Sequence, residues 1–182
     1  MLKPKDILDE KNKLLRTISK EVIFPLDDKD FKAIKDIIEY LTKSQNEELA
    51  EKYNLRPGMG MSAIQLGIPK KYFIVVHEIE EDTFDEYVIV NPKIVSSSEE
   101  KIYVEDGEGC LSINRPTHGI VPRHARVTIE GYDTKGNKIK IRAREDLAIC
   151  FQHEIDHLNG ILFTDRIDKV NPYKDADKYR SL

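Results

Sequence analysis

Leu147-Ala148-Ile149-Cys150-Phe151-Gln152-His153-Glu154-Ile155-Asp156-His157-Leu158 reads as one helix with a core-facing stripe and a chemical face. Leu147, Phe151, Ile155 and Leu158 recur at i, i+4, i+8 and i+11, the spacing at which a helix presents apolar side chains to a core. His153 and His157 stand at i and i+4, so their imidazoles lie one turn apart on one face and can reach a single ion. Glu154 sits about 100° around the axis at ~3.6 residues per turn, close enough to bond a water held by that ion. Histidines and acids also recur on solvated helices, where nothing fixes them. Here the apolar stripe would hold the rings by packing, as a preorganised site requires.

A hydrolytic zinc-type site takes three protein ligands and keeps one open position for water. In the large protease class that extends this motif, a glycine and then a third histidine follow. Gly160 is present, but Phe163 stands at the ligand position and phenylalanine binds no metal. Asp165, Asp168, Asp175 and Asp177 lie among lysines and arginines in a polar tail and read as solvated charge. The two cysteines remain. Cys150 lies near the histidine face, yet an ion midway between the rings would be about 7–8 Å along the axis from it at ~1.5 Å per residue, and a thiolate bond of about 2.3 Å falls short. Cys110, in Glu108-Gly109-Cys110-Leu111-Ser112, comes from a distant segment, with Gly109 allowing close backbone approach. Cys110, His153 and His157 are the expected ligands, a sulfur-and-imidazole set that suits zinc on softness grounds.

The rest of the chain bounds the class. At 182 residues with 40% hydrophobic content, residues 1–182 can bury one core as a single catalytic domain. A formal charge of −4 argues against a nucleic-acid footprint. No apolar run reaches membrane-span length, and Met1-Leu2-Lys3-Pro4-Lys5-Asp6 lacks the apolar centre of a secretory signal, so the expected location is the cytoplasm. Two cysteines of unequal context suit a reducing compartment. Gly58-Met59-Gly60-Met61-Ser62-Ala63 loosely fits a dinucleotide fingerprint. That fingerprint needs a strand before and a helix after it, whereas Arg56-Pro57 precedes and Ile68-Pro69 soon follows.

Asp27 or Asp28 can cap a helix carrying Phe31, Ile34, Ile37, Ile38 and Leu41 at helical spacing, whose polar end runs into a loop. Tyr72 to Val76 and Tyr87 to Val90 read as strands joined by an acidic solvated turn over Glu80 to Glu86. Arg126 to Tyr132 and Lys138 to Arg142 form a hairpin around Asp133-Thr134-Lys135-Gly136-Asn137. The sum is an α+β domain: antiparallel sheets packed around a central metal-binding helix with the His-Glu-x-x-His spacing, and a helix near the N-terminus. His77, His118 and His124 match no ligand template and read as surface or structural.

Three blocks together resemble the peptide deformylases: Gly58-Met59-Gly60-Met61-Ser62-Ala63-Ile64-Gln65, Glu108-Gly109-Cys110-Leu111-Ser112, and Gln152-His153-Glu154-Ile155-Asp156-His157-Leu158-Asn159-Gly160. They occur in that family's order, and the similarity runs from roughly Ile7 to Ile167. Ser44-Gln45-Asn46-Glu47-Glu48 through Leu55-Arg56-Pro57 looks like the longer form usual in the second bacterial subtype. Departures are small: the family commonly has leucine at Met61, alanine at Ser62 and proline or threonine at Ile64.

The resemblance implies an α+β enzyme that removes the formyl group from N-terminal formylmethionine of newly made proteins, releasing formate. It implies Fe(II) as the native ion, replaceable by nickel, cobalt or zinc, and substrates that are N-formylmethionyl peptides and nascent chains, with ribosome contact in view and a monomer expected. Within it, Gly60 and Gly109 offer backbone to substrate, Gln65 and the Leu111 N–H meet the oxyanion, Ile149 and Cys150 line the methionine pocket, and Arg123 anchors its loop. The expected chemistry is attack on the formyl carbon by metal-held hydroxide, with Glu154 as general base and then acid. A peptidase with another third ligand would instead cleave internal peptide bonds, and a non-catalytic metal module would need neither Glu154 nor Gln65.

Overall fold

A computed structural model describes residues 2–81 and 83–182. In chain order the elements are α1 (Asp28–Gln45), α2 (Glu47–Tyr53), β1 (Gly60–Ser62), β2 (Tyr72–Glu80), β3 (Thr83–Ser97), β4 (Lys101–Tyr103), β5 (Arg123–His124), β6 (Arg126–Tyr132), β7 (Lys138–Arg144), α3 (Glu145–Leu158) and β8 (Arg180–Ser181), with short 3-10 turns between. The protein is a mixed α+β structure. One sheet has the order β1-β2-β3-β6-β7 with every pairing antiparallel. The smaller sheet, β5-β4-β8, departs from the all-antiparallel expectation, because β4 and β8 run parallel.

Strand alternation explains how one sheet carries two helices. Successive side chains of β2 point to opposite faces. Tyr72, Ile74 and Val76 join the cluster built with Ile34, Ile37 and Leu41 of α1, while Phe73 and Val75 join Leu147, Phe151 and Leu158 of α3. All five β2 residues are fully buried, which is why this stretch reads as a continuous apolar run. On α3, Leu147, Phe151 and Leu158 are buried and Ile155 packs partly against them. Burying each such side chain contributes about 1.5–3 kcal/mol. The helix-propensity cost of an ordinary residue such as Phe or His is at most about 0.7 kcal/mol, so packing decides the conformation.

α1 begins as expected. The Asp27 side chain accepts from Asp30 N at 2.9 Å, and Asp30 returns the bond to Asp27 N at 3.3 Å. Phe31, assigned to the apolar stripe, is instead 47% exposed, since its neighbour Asp30 takes the inward face, 1% exposed and accepting from the Tyr72 hydroxyl of β2, which turns Phe31 about 100° away. The loop expected after α1 is a second helix. Asn46 caps α2 by accepting from Leu49 N at 3.1 Å, and Asn54 ends it in the left-handed region with φ 51°.

The β2–β3 hairpin also runs further than its apolar core indicated. Of the acidic turn expected over Glu80 to Glu86, Asp82 lies outside the described residues, and Glu80 and Thr83 to Glu86 belong to the strands. Cross-strand pairing continues beyond the helices, so those positions need no apolar side chain.

Candidate metal centre and its pocket

The two rings on α3 lie side by side as the helical spacing dictates, with centroids 5.0 Å apart and planes inclined at 65°. Cys110 arrives from the loop between β4 and β5 and places Sγ 3.2 Å from His157 Nε2. One ligand atom each from Cys110, His153 and His157 lies within 4.8 Å of the others, and all three residues are buried. Phe163, where the longer protease motif has histidine, stacks on His153 with ring centroids 5.9 Å apart.

Behind His153 stands a chain of charge. His153 Nδ1 meets Glu108 Oε2 at 2.9 Å, and Arg123 grips both Glu108 oxygens at 2.7 and 2.9 Å. Arg123 also donates to Asp156, which Arg166 holds from the other side. A carboxylate behind a ligating imidazole fixes its tautomer and leaves Nε2 free for an ion. Burial raises the Glu108 pKa, but hydrogen bonds and charge from His153 and Arg123 outweigh it and hold the carboxyl down to about 2. His157 has no such support: its Nδ1 is buried without a hydrogen-bond partner among the described residues.

The donors fit a soft divalent cation. Burial drives His157 strongly toward the neutral ring, and the charges of His153 and Arg123 add to this, leaving a lone pair for a metal. Burial also disfavours charge on His153, yet Cys110 and Glu108 together draw a proton onto it. A pocket that attracts a proton this way attracts a cation for the same reason. Cys150 stays outside the cluster, and burial, with nearby Glu154, Glu108 and Asp146, keeps its thiol protonated.

Glu154 and Gln65 meet at Ser62. The Ser62 hydroxyl lies 2.7 Å from Glu154 Oε2 and 2.9 Å from its carbonyl oxygen, while Ser62 N donates to Gln65 Oε1 at 2.9 Å. Gln65 Nε2 is thereby turned toward Ser112 Oγ at 3.0 Å and Cys110 Sγ at 3.9 Å. Burial raises the Glu154 pKa, opposed in part by His153, Ser62 and Arg123. A cavity of about 270 Å³ opens onto this cluster, bounded by Gly60, Gly109, Leu111, Ile149, Cys150 and Glu154 among others. A larger depression of about 740 Å³ beside β3 and β7 brings together serines, arginines, Glu99 and Glu100, but no set of three ligand atoms converges there among the described residues, and volume alone makes no site.

The glycines divide. A Cβ on Gly60 would lie 2.7 Å from both Cys150 Sγ and Glu154 Oε1, so a side chain here would displace one or both of those groups. A Cβ on Gly109 would meet nothing within 4 Å; the close approach expected there is not demanded by this chain's own packing. His77 pairs with Asp146 at 3.1 Å, His124 Nδ1 lies 2.6 Å from Ser98 O, and His118 is exposed, all outside the cluster. Sequence reasoning gave Glu108, Asp156, Arg166 and Ser62 no role. An acid two residues before a ligating cysteine was the available signal for Glu108, since a metal-bound histidine usually has a carboxylate behind it.

The sequence model of the polypeptide deformylase family matches residues 4–173. A peptide deformylase of Halalkalibacterium halodurans is 49% identical over 96% of this chain and 96% of its own. Peptide deformylase 2 of Bacillus anthracis is 44% identical over 100% of this chain and 99% of its own. Among solved structures, peptide deformylase 1B of Arabidopsis thaliana superposes with a TM-score of 0.75 at 28% identity, covering 90% of this chain and 82% of that one. The enzyme of Thermus thermophilus gives 0.73 at 28%, covering 93% and 87%.

Proposed function

The chain belongs to the polypeptide deformylase family, metal-dependent hydrolases of the N-formyl group on N-terminal formylmethionine, and we propose the following division of labour for that reaction in its own residues. Cys110, His153 and His157 would hold one divalent ion, Fe(II) in the native enzyme, with zinc, nickel or cobalt able to replace it. When bound, the ion supplies Lewis-acid chemistry, lowering the pKa of a water toward neutrality. Glu154 would take the proton from the water that attacks the formyl carbon and deliver it to the departing methionine nitrogen. Its raised pKa brings it closer to working pH, as a proton carrier needs.

The Gln65 carboxamide and the Leu111 N–H receive the oxygen that becomes negative in the tetrahedral intermediate. Gln65 is already oriented by Ser62 N, so little reorganisation is needed as charge develops. Gly60 and Gly109 leave backbone accessible to the substrate chain, and Ile149 and Cys150 border the methionine side chain. Among the described residues no helix is long and apolar enough to cross a membrane. The proposed setting is the cytoplasm, where the enzyme works as a monomer on nascent chains.

One observation carries the reading: three buried donors within 4.8 Å share a pocket with a buried carboxylate and an oriented carboxamide. The test is an anaerobic assay of formate release from a formylmethionyl peptide, with metal analysis of the same sample. Formate at one metal per chain is the expected result. Cleavage of internal peptide bonds without formate would assign the site to a peptidase.

A further inference from the structure

The stretch that marks the longer form delivers a cation to the back of the cysteine loop. After α2 the left-handed Asn54 turns the chain, Leu55 is buried, and Arg56 follows. Arg56 Nη2 donates to the carbonyls of Cys110 at 3.0 Å and Ile113 at 2.9 Å, and Nη1 donates to the Leu111 carbonyl at 3.1 Å. Nη1 also meets Asn114 Oδ1. The buried Tyr40 hydroxyl fixes the Arg56 backbone, accepting from its N and donating to its O, each at 3.3 Å.

Planarity of the peptide bond gives this grip a consequence on the other side of the loop. The Cys110 carbonyl and the Leu111 N–H belong to one trans unit and point in opposite directions. Ile113 N already bonds the Cys110 oxygen at 3.1 Å, closing a turn, and Arg56 adds a charge-assisted bond to the same atom. With its carbonyl held toward Arg56, the unit directs the Leu111 N–H the other way. Leu111 borders the cavity shared by Gln65, His153 and Glu154. A carbonyl bonded by a cation also polarises its own N–H, making it a better donor.

We propose that Arg56 is a positioning residue for deformylation, holding the Cys110–Leu111 peptide from behind so that the Leu111 N–H meets the developing oxyanion. The inference rests on the Leu111 role proposed above. Arg56 itself is not part of the cavity wall. An arginine suits the task because a rigid fork of five N–H donors spans several carbonyls at once, which a lysine ammonium does not.

The test compares Arg56→Ala, Arg56→Lys and Asn114→Ala with the wild type on a formylmethionyl peptide, with metal content and melting temperature measured on each sample. Arg56→Ala is expected to lower kcat by roughly 10–100-fold, below the full loss of an oxyanion donor, with KM and metal stoichiometry near wild type. Arg56→Lys recovers part of the rate. Asn114→Ala leaves the three carbonyl bonds in place and keeps wild-type kcat. Wild-type kcat in Arg56→Ala at full metal content overturns the proposal, as does a loss explained entirely by missing metal. Should Arg56→Ala fail to fold, Arg56→Lys decides: lowered kcat at unchanged KM supports the proposal and unchanged kcat overturns it. A wild type that releases no formate defeats the functional reading instead. The amide NMR signal of Leu111 then judges Arg56 alone, a shift in the variant supporting the grip and an unmoved signal overturning it.

Discussion

The Ser62 hydroxyl sits 2.7 Å from Glu154 Oε2 with both residues buried, so the proposed proton carrier is held by a group from β1. This bond favours the ionised carboxylate and opposes the upward push of burial. In Ser62→Ala that opposition is lost and the Glu154 pKa rises further. Because the base must be ionised to accept a proton, the acidic limb of the kcat–pH profile should move to higher pH. An unmoved limb would show that Ser62 does not tune the base. Glu154→Gln removes the carrier altogether and should cost about 10²–10⁴-fold in kcat with metal retained.

Glu108 links a buried guanidinium, that of Arg123, to the ring of a proposed ligand, His153. In Glu108→Gln, Arg123 keeps only Asp156 as a carboxylate partner, and one neutral amide oxygen replaces the two charged oxygens that Arg123 and His153 share. Metal affinity should fall by about 10–100-fold, the usual cost of losing such a partner. Competition with a chelator measures it, and wild-type affinity would remove Glu108 from the metal's support.

The two cysteines should separate cleanly in metal analysis. Cys110→Ala takes away one of three donors and should leave the protein without tightly held metal, whereas Cys150→Ala should keep a full equivalent. The reverse pattern would assign the sulfur ligand to α3.

Gly60→Ala puts a methyl group 2.7 Å from Glu154 Oε1 and Cys150 Sγ. Overpacking of this kind costs about 1–3 kcal/mol, which a shift in denaturation midpoint would reveal. Adding Cys150→Ala makes room on one side only. The double variant should regain only part of the lost stability and kcat should stay low, because the clash with Glu154 persists. Full recovery of kcat would mean that Glu154 is free to move aside without consequence.

The parts of this protein legible in its sequence are those fixed by local periodicity. The ring spacing on α3, the stripe Leu147-Phe151-Leu158 and the buried run Tyr72 to Val76 follow from helix and strand geometry alone. Where packing is thin, the pattern fades: the outer half of the β2–β3 hairpin is largely polar, and α2 offers only Leu49, Ala50 and Tyr53 over two turns, too short a rhythm to read without its Asn46 cap. The polar support of the site was hidden for another reason. Glu108 meets Arg123 15 positions away, Arg123 meets Asp156 33 away, and Ser62 meets Glu154 92 away, pairings that only the finished topology creates.

That separation along the chain sets an order of events for each new copy of the enzyme. Bringing distant segments together costs entropy that grows slowly with loop length but must be met before any contact stabilises the result. Cys110 can find its partners only after α3 has been synthesised and docked on the sheet. On the proposed reading, a copy lacking α3 would have no assembled site, and capture of a cation would come among the last steps of maturation.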